Sequence, residues 1–162
     1  MLKPRPISPA AYRRYGEVLR LGAGGRAANQ GTASRRDWAA ELKNLRPRAR
    51  PNLSLFRCAP RRRPFAASLL ERHPHSTQVF LPLSQPARYL ALVALGGARP
   101  DMRTLRAFLV EGPVGISYRP GVWHHPMAAL GRVTDFACLV WEDGGSGDCE
   151  MFELPAPLPV SF

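Results

Sequence analysis

The stretch YRPGVWHHP at residues 118–126 joins two strand-like segments through a Pro-Gly turn and carries two of the four histidines of the chain. Pro120 fixes its own φ, and Gly121 can adopt the positive φ that a tight turn needs. The chain therefore bends sharply and re-enters an extended segment, in which side chains alternate between two faces. This alternation predicts that His124 and Trp123 point to opposite faces.

The two remaining histidines, His73 and His75, flank a proline in the segment ERHPH at residues 71–75. All four histidines therefore fall into two clusters, whereas histidines that only fill the surface or the core would be scattered. Imidazole titrates near neutral pH and can serve as an acid, a base or a metal ligand. The two clusters are the first candidates for functional residues.

Composition favours one domain, residues 1–162, because a chain of 17.9 kDa can bury a core without disulfides. The formal net charge of +11 comes from 21 Arg and two Lys against 12 acidic residues. A basic chain can bind nucleic acid. The arginines are spread over the whole chain, however, and the aromatic-plus-basic pattern of RNA-binding sheets is missing. We therefore attribute them to the base composition of the source genome and predict no nucleic-acid partner.

The cysteines Cys58, Cys138 and Cys149 are odd in number and lack the spacing of a metal site, so we predict reduced thiols. The N-terminus has no apolar segment of the kind found in secretory signals. The longest apolar run, residues 89–95, is far too short to span a bilayer. These features predict a cytoplasmic protein with no membrane partner.

Turn residues divide the chain into about eight or nine short strand-like segments after one short helix, which begins with Ser8 as N-cap and Pro9 at the first helical position. The predicted strands include residues 17–21, 53–56, 78–83, 89–95, 105–110, 115–119, 134–141 and 149–154. Residues 22–34 are predicted to form a long loop, and residues 38–45 one or two helical turns or an irregular strand. The proline-rich tail at 155–159 cannot pair as a central strand. The pattern predicts a mainly β sandwich or small barrel with a short N-terminal helix.

Several motifs resemble those of known proteins. The run from Pro120 to His124 resembles the second signature of the cupin jelly roll, and His73, His75 and Gln78 form a weaker likeness to the first. More specifically, the chain resembles the ureidoglycolate lyase family of allantoin breakdown, whose members are often labelled ureidoglycolate hydrolases. The matching segments are NQG at 29–31, LERHP at 70–74, TQVFLP at 77–82, PD at 100–101, LRAF at 105–108, VWHHP at 122–126 and TDF at 134–136.

The resemblance implies a cupin-like jelly roll that forms a homodimer and cleaves (S)-ureidoglycolate to glyoxylate and urea. Collapse of this carbinol amide needs a base to take the hydroxyl proton and an acid to protonate the departing nitrogen. We predict that His124 and His73 provide these groups, with Arg119 as a third catalytic candidate. Such an elimination requires no redox cofactor and no obligatory metal, so none is predicted.

The substrate carboxylate calls for a cationic anchor, preferably a planar guanidinium. Arg72 and Arg119 are the candidates for this anchor. We predict that Gln78 and Tyr118 orient the hydroxyl or the urea end by hydrogen bonds, and that Asn29 in the early loop also binds substrate.

Two alternatives remain open at this stage. A metal-dependent cupin enzyme would use His73, His75, Gln78 and His124 as ligands, since imidazoles with an oxygen donor can hold several divalent metals. A non-catalytic carboxylate-binding module on the same fold is the other. The chain departs from some family members at residues 27–28, where histidine can precede Asn29, and also at Arg119 and at residues 141–143.

Overall fold

A computed structural model describes residues 1–22 and 25–162, and most of the regular structure in them is β-strand. The strands are β1 (Arg5–Pro6), β2 (Val18–Leu19), β3 (Arg26–Ala28), β4 (Ala33–Arg35), β5 (Arg50–Cys58), β6 (Phe65–Arg72), β7 (Gln78–Pro82), β8 (Arg88–Ala94), β9 (Arg106–Glu111), β10 (Gly115–Tyr118), β11 (Trp123–His124), β12 (Ala128–Ala129), β13 (Thr134–Glu142) and β14 (Glu150–Val160). The described residues also form one α-helix, α1 (Pro9–Tyr12), and two 3₁₀ turns, Asn29–Gly31 and Met102–Thr104.

Two large sheets pack face to face. The first has the strand order β1-β9-β8-β11-β6-β14, with β12 beside β8, and the second has the order β2-β10-β7-β13-β5. Within the described residues the sheets do not close into a barrel. The prediction of a mainly β fold with a short N-terminal helix is therefore confirmed, and of its two forms the structure takes the sandwich.

Helix α1 forms at its predicted place. The Ser8 hydroxyl accepts a hydrogen bond from the backbone N–H of Ala11 at 3.2 Å, and a proline occupies the start of the first turn. Both features satisfy or remove N–H groups that a helix start leaves unpaired. The helix carries Tyr12 into the core, where its hydroxyl donates to the Ser117 carbonyl at 3.1 Å.

Strand β8 lies inside the first sheet and is buried from residue 89 to residue 94. Its odd-numbered side chains, such as Tyr89, face the second sheet and join one apolar cluster with Phe108 and Phe136. Its even-numbered side chains, Leu90 and Leu92, face the other way and join a second cluster. An apolar run without alternation is the sequence pattern expected of a strand buried on both faces.

Two segments differ from their predictions, and the proline-rich tail agrees with its prediction. Residues 22–34 were expected to be loop, but β3 and β4 pair there as a small hairpin around Asn29–Gly31; the part of this loop at residues 23–24 lies outside the described residues. Residues 38–45 form neither helix nor strand apart from a single bridge at Asn44. The tail at 155–159 extends β14, which is an edge strand, in agreement with the prediction that its prolines exclude a central position.

No helix in residues 1–22 and 25–162 has the length and apolar character needed to cross a bilayer.

Candidate active site

The Pro-Gly turn connects the two histidine clusters. Gly121 has φ of 77°, and its N–H donates to the His73 carbonyl at 2.9 Å. The chain then enters β11, where His124 lies opposite Glu71 of β6 and Val93 of β8. Cross-strand partners share a face of the sheet, so His124 and Glu71 both point into the space between the two sheets.

Trp123 points to the opposite face, as the alternation predicted. It packs with Leu70 and Ala94 on the outer side of the first sheet, and its indole N–H donates to the Gly97 carbonyl at 3.1 Å. The tryptophan therefore anchors β11 from behind and leaves the imidazole of His124 to face the second sheet.

The imidazoles of His73 and His124 are held alike. The Nδ1–H group of His124 donates to the Val122 carbonyl at 2.9 Å, and that of His73 donates to the Asp148 carbonyl at 2.8 Å. A carbonyl can only accept, so in the neutral form of either ring the proton sits on Nδ1 and Nε2 carries the lone pair. The two rings stack with centroids 5.7 Å apart.

Glu71 completes the pair of histidines as a cluster of three. Its Oε1 lies 3.5 Å from Nε2 of His124, and the ligand-type atoms of Glu71, His73 and His124 all lie within 4.8 Å of one another. The carboxylate side chain keeps 20% of its surface exposed, so the cluster reaches solvent through it. Glu71 is not among the residues selected from the sequence. The available signal was its spacing of two from His73, which places both side chains on one face of a strand.

Tyr118 and Gln78 extend the cluster onto the second sheet. The rings of Tyr118 and His124 stack with centroids 4.0 Å apart and planes 7° from parallel. Gln78 lies directly opposite Tyr118 in the pairing of β7 with β10 and is buried. The stack fixes the imidazole plane, and the register brings the amide to the same face.

Four buried polar atoms of this group have no hydrogen-bond partner within the described residues: Nε2 of His73, Nε2 of His124, Oε1 of Gln78 and the hydroxyl of Tyr118. Leaving a buried polar group unsatisfied costs about 1–3 kcal/mol. Such atoms are rare in folded proteins, and a group of them on facing strands is the pattern expected where a polar ligand binds.

Burial and neighbouring charge set the protonation states. Burial, aided by the nearby His124, lowers the pKa of His73, so this ring stays neutral at neutral pH. Burial opposes ionisation of Glu71, but the contact with His124 and the neighbouring histidines outweigh it and hold the pKa of Glu71 below its ordinary value. Burial raises the pKa of Tyr118, so its hydroxyl stays protonated and can donate.

The same cluster could hold a divalent metal ion. Two imidazole nitrogens and one carboxylate form a donor set used by several metals, and both rings already donate their other N–H to a backbone carbonyl. Both Nε2 atoms are buried and unpartnered, so the residues fit such an ion. Glu71, rather than His75, joins His73 and His124 in this set, which corrects the ligand set expected from the sequence.

The structure does not bring Arg72 to the cluster. Arg72 alternates with Glu71 along β6 and so points to the outer face, where its guanidinium lies 4.7 Å from the centre of the Trp123 ring. It also donates to Glu150 at 2.6 and 2.8 Å and to the Gly97 carbonyl. Its planar fork is therefore already occupied by contacts on the outer face, away from the histidines.

Arg119 and Asn29 also lie apart from the histidines. Arg119 follows the end of β10, and its guanidinium donates to the Arg13 carbonyl and to Glu17 on the outside of the sandwich. Asn29 is exposed at the tip of the β3–β4 hairpin, which forms a separate two-stranded sheet. Of the residues selected from the sequence, His73, Gln78, Tyr118 and His124 therefore lie together between the sheets, whereas Arg72, Arg119 and Asn29 lie elsewhere.

Comparison with known proteins identifies the family. The sequence profile described as ureidoglycolate lyase matches residues 1–161. A ureidoglycolate lyase from Burkholderia cepacia is 38% identical over 164 aligned residues, covering 100% of this chain and 91% of that protein. One from Escherichia coli O1:K1 / APEC is 37% identical over 155 residues, covering 95% and 94% of the two chains.

Among solved structures, a dTDP sugar isomerase from Desulfovibrio desulfuricans G20 superposes with a TM-score of 0.51 at 16% identity, covering 86% of this chain and 83% of that one. At this identity the likeness concerns the fold alone. The profile match and the two lyases cover nearly the whole length, and the chain therefore belongs to the ureidoglycolate lyase family.

Proposed function

We propose that this protein cleaves (S)-ureidoglycolate to glyoxylate and urea by acid/base elimination between the two sheets. The observation that carries the proposal is the group of unpartnered polar atoms beside Glu71. They offer two imidazole lone pairs, a phenol, an amide oxygen and a carboxylate to one small polar ligand. The relatives named ureidoglycolate lyase provide the substrate class.

His124 is the proton carrier in this proposal. Its Nε2 lone pair takes the proton of the carbinol hydroxyl, the carbon–nitrogen bond breaks as the C=O bond of glyoxylate forms, and the urea nitrogen receives a proton. Hydroxyl and nitrogen are bonded to the same carbon, so one imidazole can serve both. Glu71 stabilises the charged imidazole during the transfer, because its carboxylate lies 3.5 Å from the same nitrogen.

Tyr118, Gln78 and His73 position the substrate. The Tyr118 hydroxyl stays protonated and donates to a substrate oxygen. The amide oxygen of Gln78 accepts a hydrogen bond from an N–H of the urea group. His73 stays neutral because burial lowers its pKa, so it accepts a hydrogen bond from the urea nitrogen. These roles match each orphaned atom to a substrate group of opposite hydrogen-bonding type.

A second candidate is a metal-assisted form of the same lyase, and the position of the arginines favours it. Neither Arg72 nor Arg119 faces the site, so the substrate carboxylate lacks the cation that the sequence predicted for it. A divalent ion on Glu71, His73 and His124 would supply positive charge for the carboxylate and hydroxyl oxygens of the substrate.

The test is turnover of ureidoglycolate, with glyoxylate and the nitrogen product measured separately. We expect urea in equal amount to glyoxylate, and ammonia in its place would refute the lyase. Glu71→Gln should lower kcat, whereas Glu153→Gln, the same change on the exposed face of β14, should not. The assay is repeated after EDTA treatment of protein purified without a histidine tag. An unchanged rate supports the metal-free form, and a loss restored by divalent metal supports the second candidate.

We also propose a homodimer formed through the outer face of the second sheet. Leu53 and Leu55 of β5 lie there with 70% and 75% of their surface exposed, and Leu81 of β7 lies on the same face. Contiguous exposed apolar surface of this kind marks association sites, and a second copy with the same patch is the simplest partner.

Light scattering tests the dimer. The measured mass should be twice the chain mass of 17.9 kDa. Leu55→Lys should shift it to the monomer, whereas Met151→Lys, an equally exposed apolar position on β14, should leave it unchanged. A wild-type mass equal to one chain would refute the dimer.

Two further expectations belong with this function. All three cysteines are free thiols, which suits a reducing compartment, and we propose the cytoplasm.

We also propose that the chain is one folding domain. Chemical denaturation should therefore proceed in a single transition that fluorescence and circular dichroism report alike.

A further inference from the structure

A cavity lies on the outside of the sandwich, beside helix α1. It has a volume of about 400 Å³, and four arginines line it. They are Arg13, Arg20, Arg36 and Arg119, which come from separate parts of the chain. The cavity shares no lining residue with the group around Glu71 and His124.

The charge of this cavity is strongly positive. Glu17 is the acidic residue that lines it, and Arg119 donates to Glu17 at 3.0 Å. Arg13, Arg20 and Arg36 make no ion pair in the described part of the chain. Four guanidinium groups therefore face one carboxylate, and an anionic ligand would restore the balance.

Two of the guanidinium groups are held in place by backbone contacts. Arg36 donates through Nη1 to the Arg20 carbonyl at 3.1 Å, and Arg119 donates through Nη1 to the Arg13 carbonyl. Each of these contacts uses one of five N–H groups, so others remain for a ligand. A guanidinium fixed before binding loses less side-chain freedom when it grips an oxyanion.

Trp38 adds an aromatic wall. Its side chain is 95% exposed and lines the same cavity, and its backbone has φ of 53°, a left-handed conformation that is unusual for a bulky residue. An indole face beside guanidinium groups is a good platform for a flat ring that carries an anion.

We propose that this cavity is a second binding site, for a small molecule that carries a phosphate dianion. Phosphate offers several oxygens in a geometry that the planar fork of arginine matches, and its charge suits the excess of guanidinium groups. The ring of a nucleoside phosphate would lie against Trp38, whereas free phosphate would use the arginines alone. The site is independent of the lyase activity proposed above.

Calorimetric titration of the full chain with inorganic phosphate and, separately, with adenosine monophosphate tests the proposal. At low ionic strength we expect binding with Kd of about 1 mM or tighter for at least one of the two. The double variant Arg13→Met, Arg36→Met should weaken it roughly tenfold or more, because each arginine loses a hydrogen bond to a charged group. If adenosine monophosphate binds more tightly than phosphate and this advantage is lost in Trp38→Ala, the adenine ring lies against the indole. Equal affinities for the two probes would mean that the site recognises phosphate alone.

The control is a second double variant, Arg62→Met with Arg99→Met, which removes the same number of positive charges from exposed positions outside the cavity. It should retain the wild-type affinity, and circular dichroism should show all variants folded. If neither probe binds, or if the control weakens binding as much as the double variant, the cavity is not a specific site and the proposal is overturned.

Discussion

Two tyrosines between the same two sheets define opposite ends of the sandwich interior. Tyr89 and Tyr118 are both almost fully buried. The hydroxyl of Tyr89 donates to the Val114 carbonyl at 2.7 Å, and its ring packs edge-on against Phe136 with centroids 5.1 Å apart. The hydroxyl of Tyr118 has no partner, and its ring stacks on His124.

The difference separates packing from function. At the Tyr89 end, apolar side chains pack around the Tyr89 ring and its hydroxyl has a hydrogen-bond partner, which is the usual arrangement for a buried polar group. At the Tyr118 end, several polar atoms stay unsatisfied although the same sheets enclose them. The fold tolerates this cost at one end because the other end is well packed, and a bound substrate would satisfy the atoms.

The largest expected effect concerns the polar end. His124→Gln keeps hydrogen-bonding capacity but cannot carry a proton near neutral pH, so kcat should fall about 10²–10⁴-fold with little change in the free energy of unfolding. Steady-state kinetics and urea denaturation measure the two quantities. A variant with full kcat would remove His124 from the chemistry.

The counterpart at the apolar end is Phe136→Ala. Phe136 is fully buried in contact with Phe80 and Tyr89, and its truncation should lower the free energy of unfolding by about 3–5 kcal/mol. The kcat of the folded fraction should stay within a few-fold of wild type. If kcat falls as far as in the His124 variant, the two ends are not functionally separate.

A smaller effect is expected from the support of His73. Arg46 forms ion pairs with Asp143 and Asp148, and the Asp148 backbone carbonyl accepts from the His73 ring. Arg46→Met should loosen the loop at residues 143–148. The His73 imidazole would then be misplaced, and kcat should fall by up to about 10²-fold. Arg48→Met, an exposed arginine two residues away, is the control and should retain kcat.

The ion pair between Arg46 and Asp148 predicts that the stability of the fold depends on pH. Burial opposes ionisation of Asp148, but the hydrogen bonds from Arg46 and from two backbone N–H groups outweigh it and lower the pKa of Asp148. The unfolded state therefore binds its proton first as pH falls, so the stabilisation is present above about pH 3.9 and is lost below it. The difference in thermal midpoint between wild type and Arg46→Met should therefore be constant above about pH 4 and narrow as pH falls below about 3.9. A difference that stays constant down to about pH 2 would contradict the lowered pKa of Asp148.

The smallest expected effects compare the two tyrosines directly. Tyr89→Phe removes a satisfied hydroxyl and leaves the Val114 carbonyl unpaired, so the free energy of unfolding should fall by about 1 kcal/mol. Tyr118→Phe removes an unsatisfied hydroxyl and should raise it by about 1 kcal/mol while lowering kcat. Equal changes of the same sign in both variants would contradict the distinction between the two ends.

Much of the fold could be predicted from the sequence because its signals are local. Turn residues, the apolar run of β8 and the Ser8 cap each act within a few residues of themselves, and each has the predicted effect. The hairpin at β3 and β4 was missed because its residues are small and polar and carry no alternation of apolar side chains. The prolines of the tail excluded a central position for β14, but its pairing with β6 depends on sheet order, which local patterns do not specify.

The candidate site divides in the same way. Alternation along an extended segment placed His124 and Trp123 on opposite faces. Motif likeness selected His73 and Gln78, and the need for a group that orients the substrate selected Tyr118. These inferences need only the covalent chain and its period of two.

Tertiary structure alone decided which of the selected residues meet. Arg72 and Glu71 are neighbours in sequence, yet β6 points one to Trp123 and the other to His124. The register of β6 with β11 sets this partition, and register arises from long-range pairing that no short segment contains. For the same reason the charge of Arg119 belongs to an outer cavity, although its neighbour Tyr118 lies in the site.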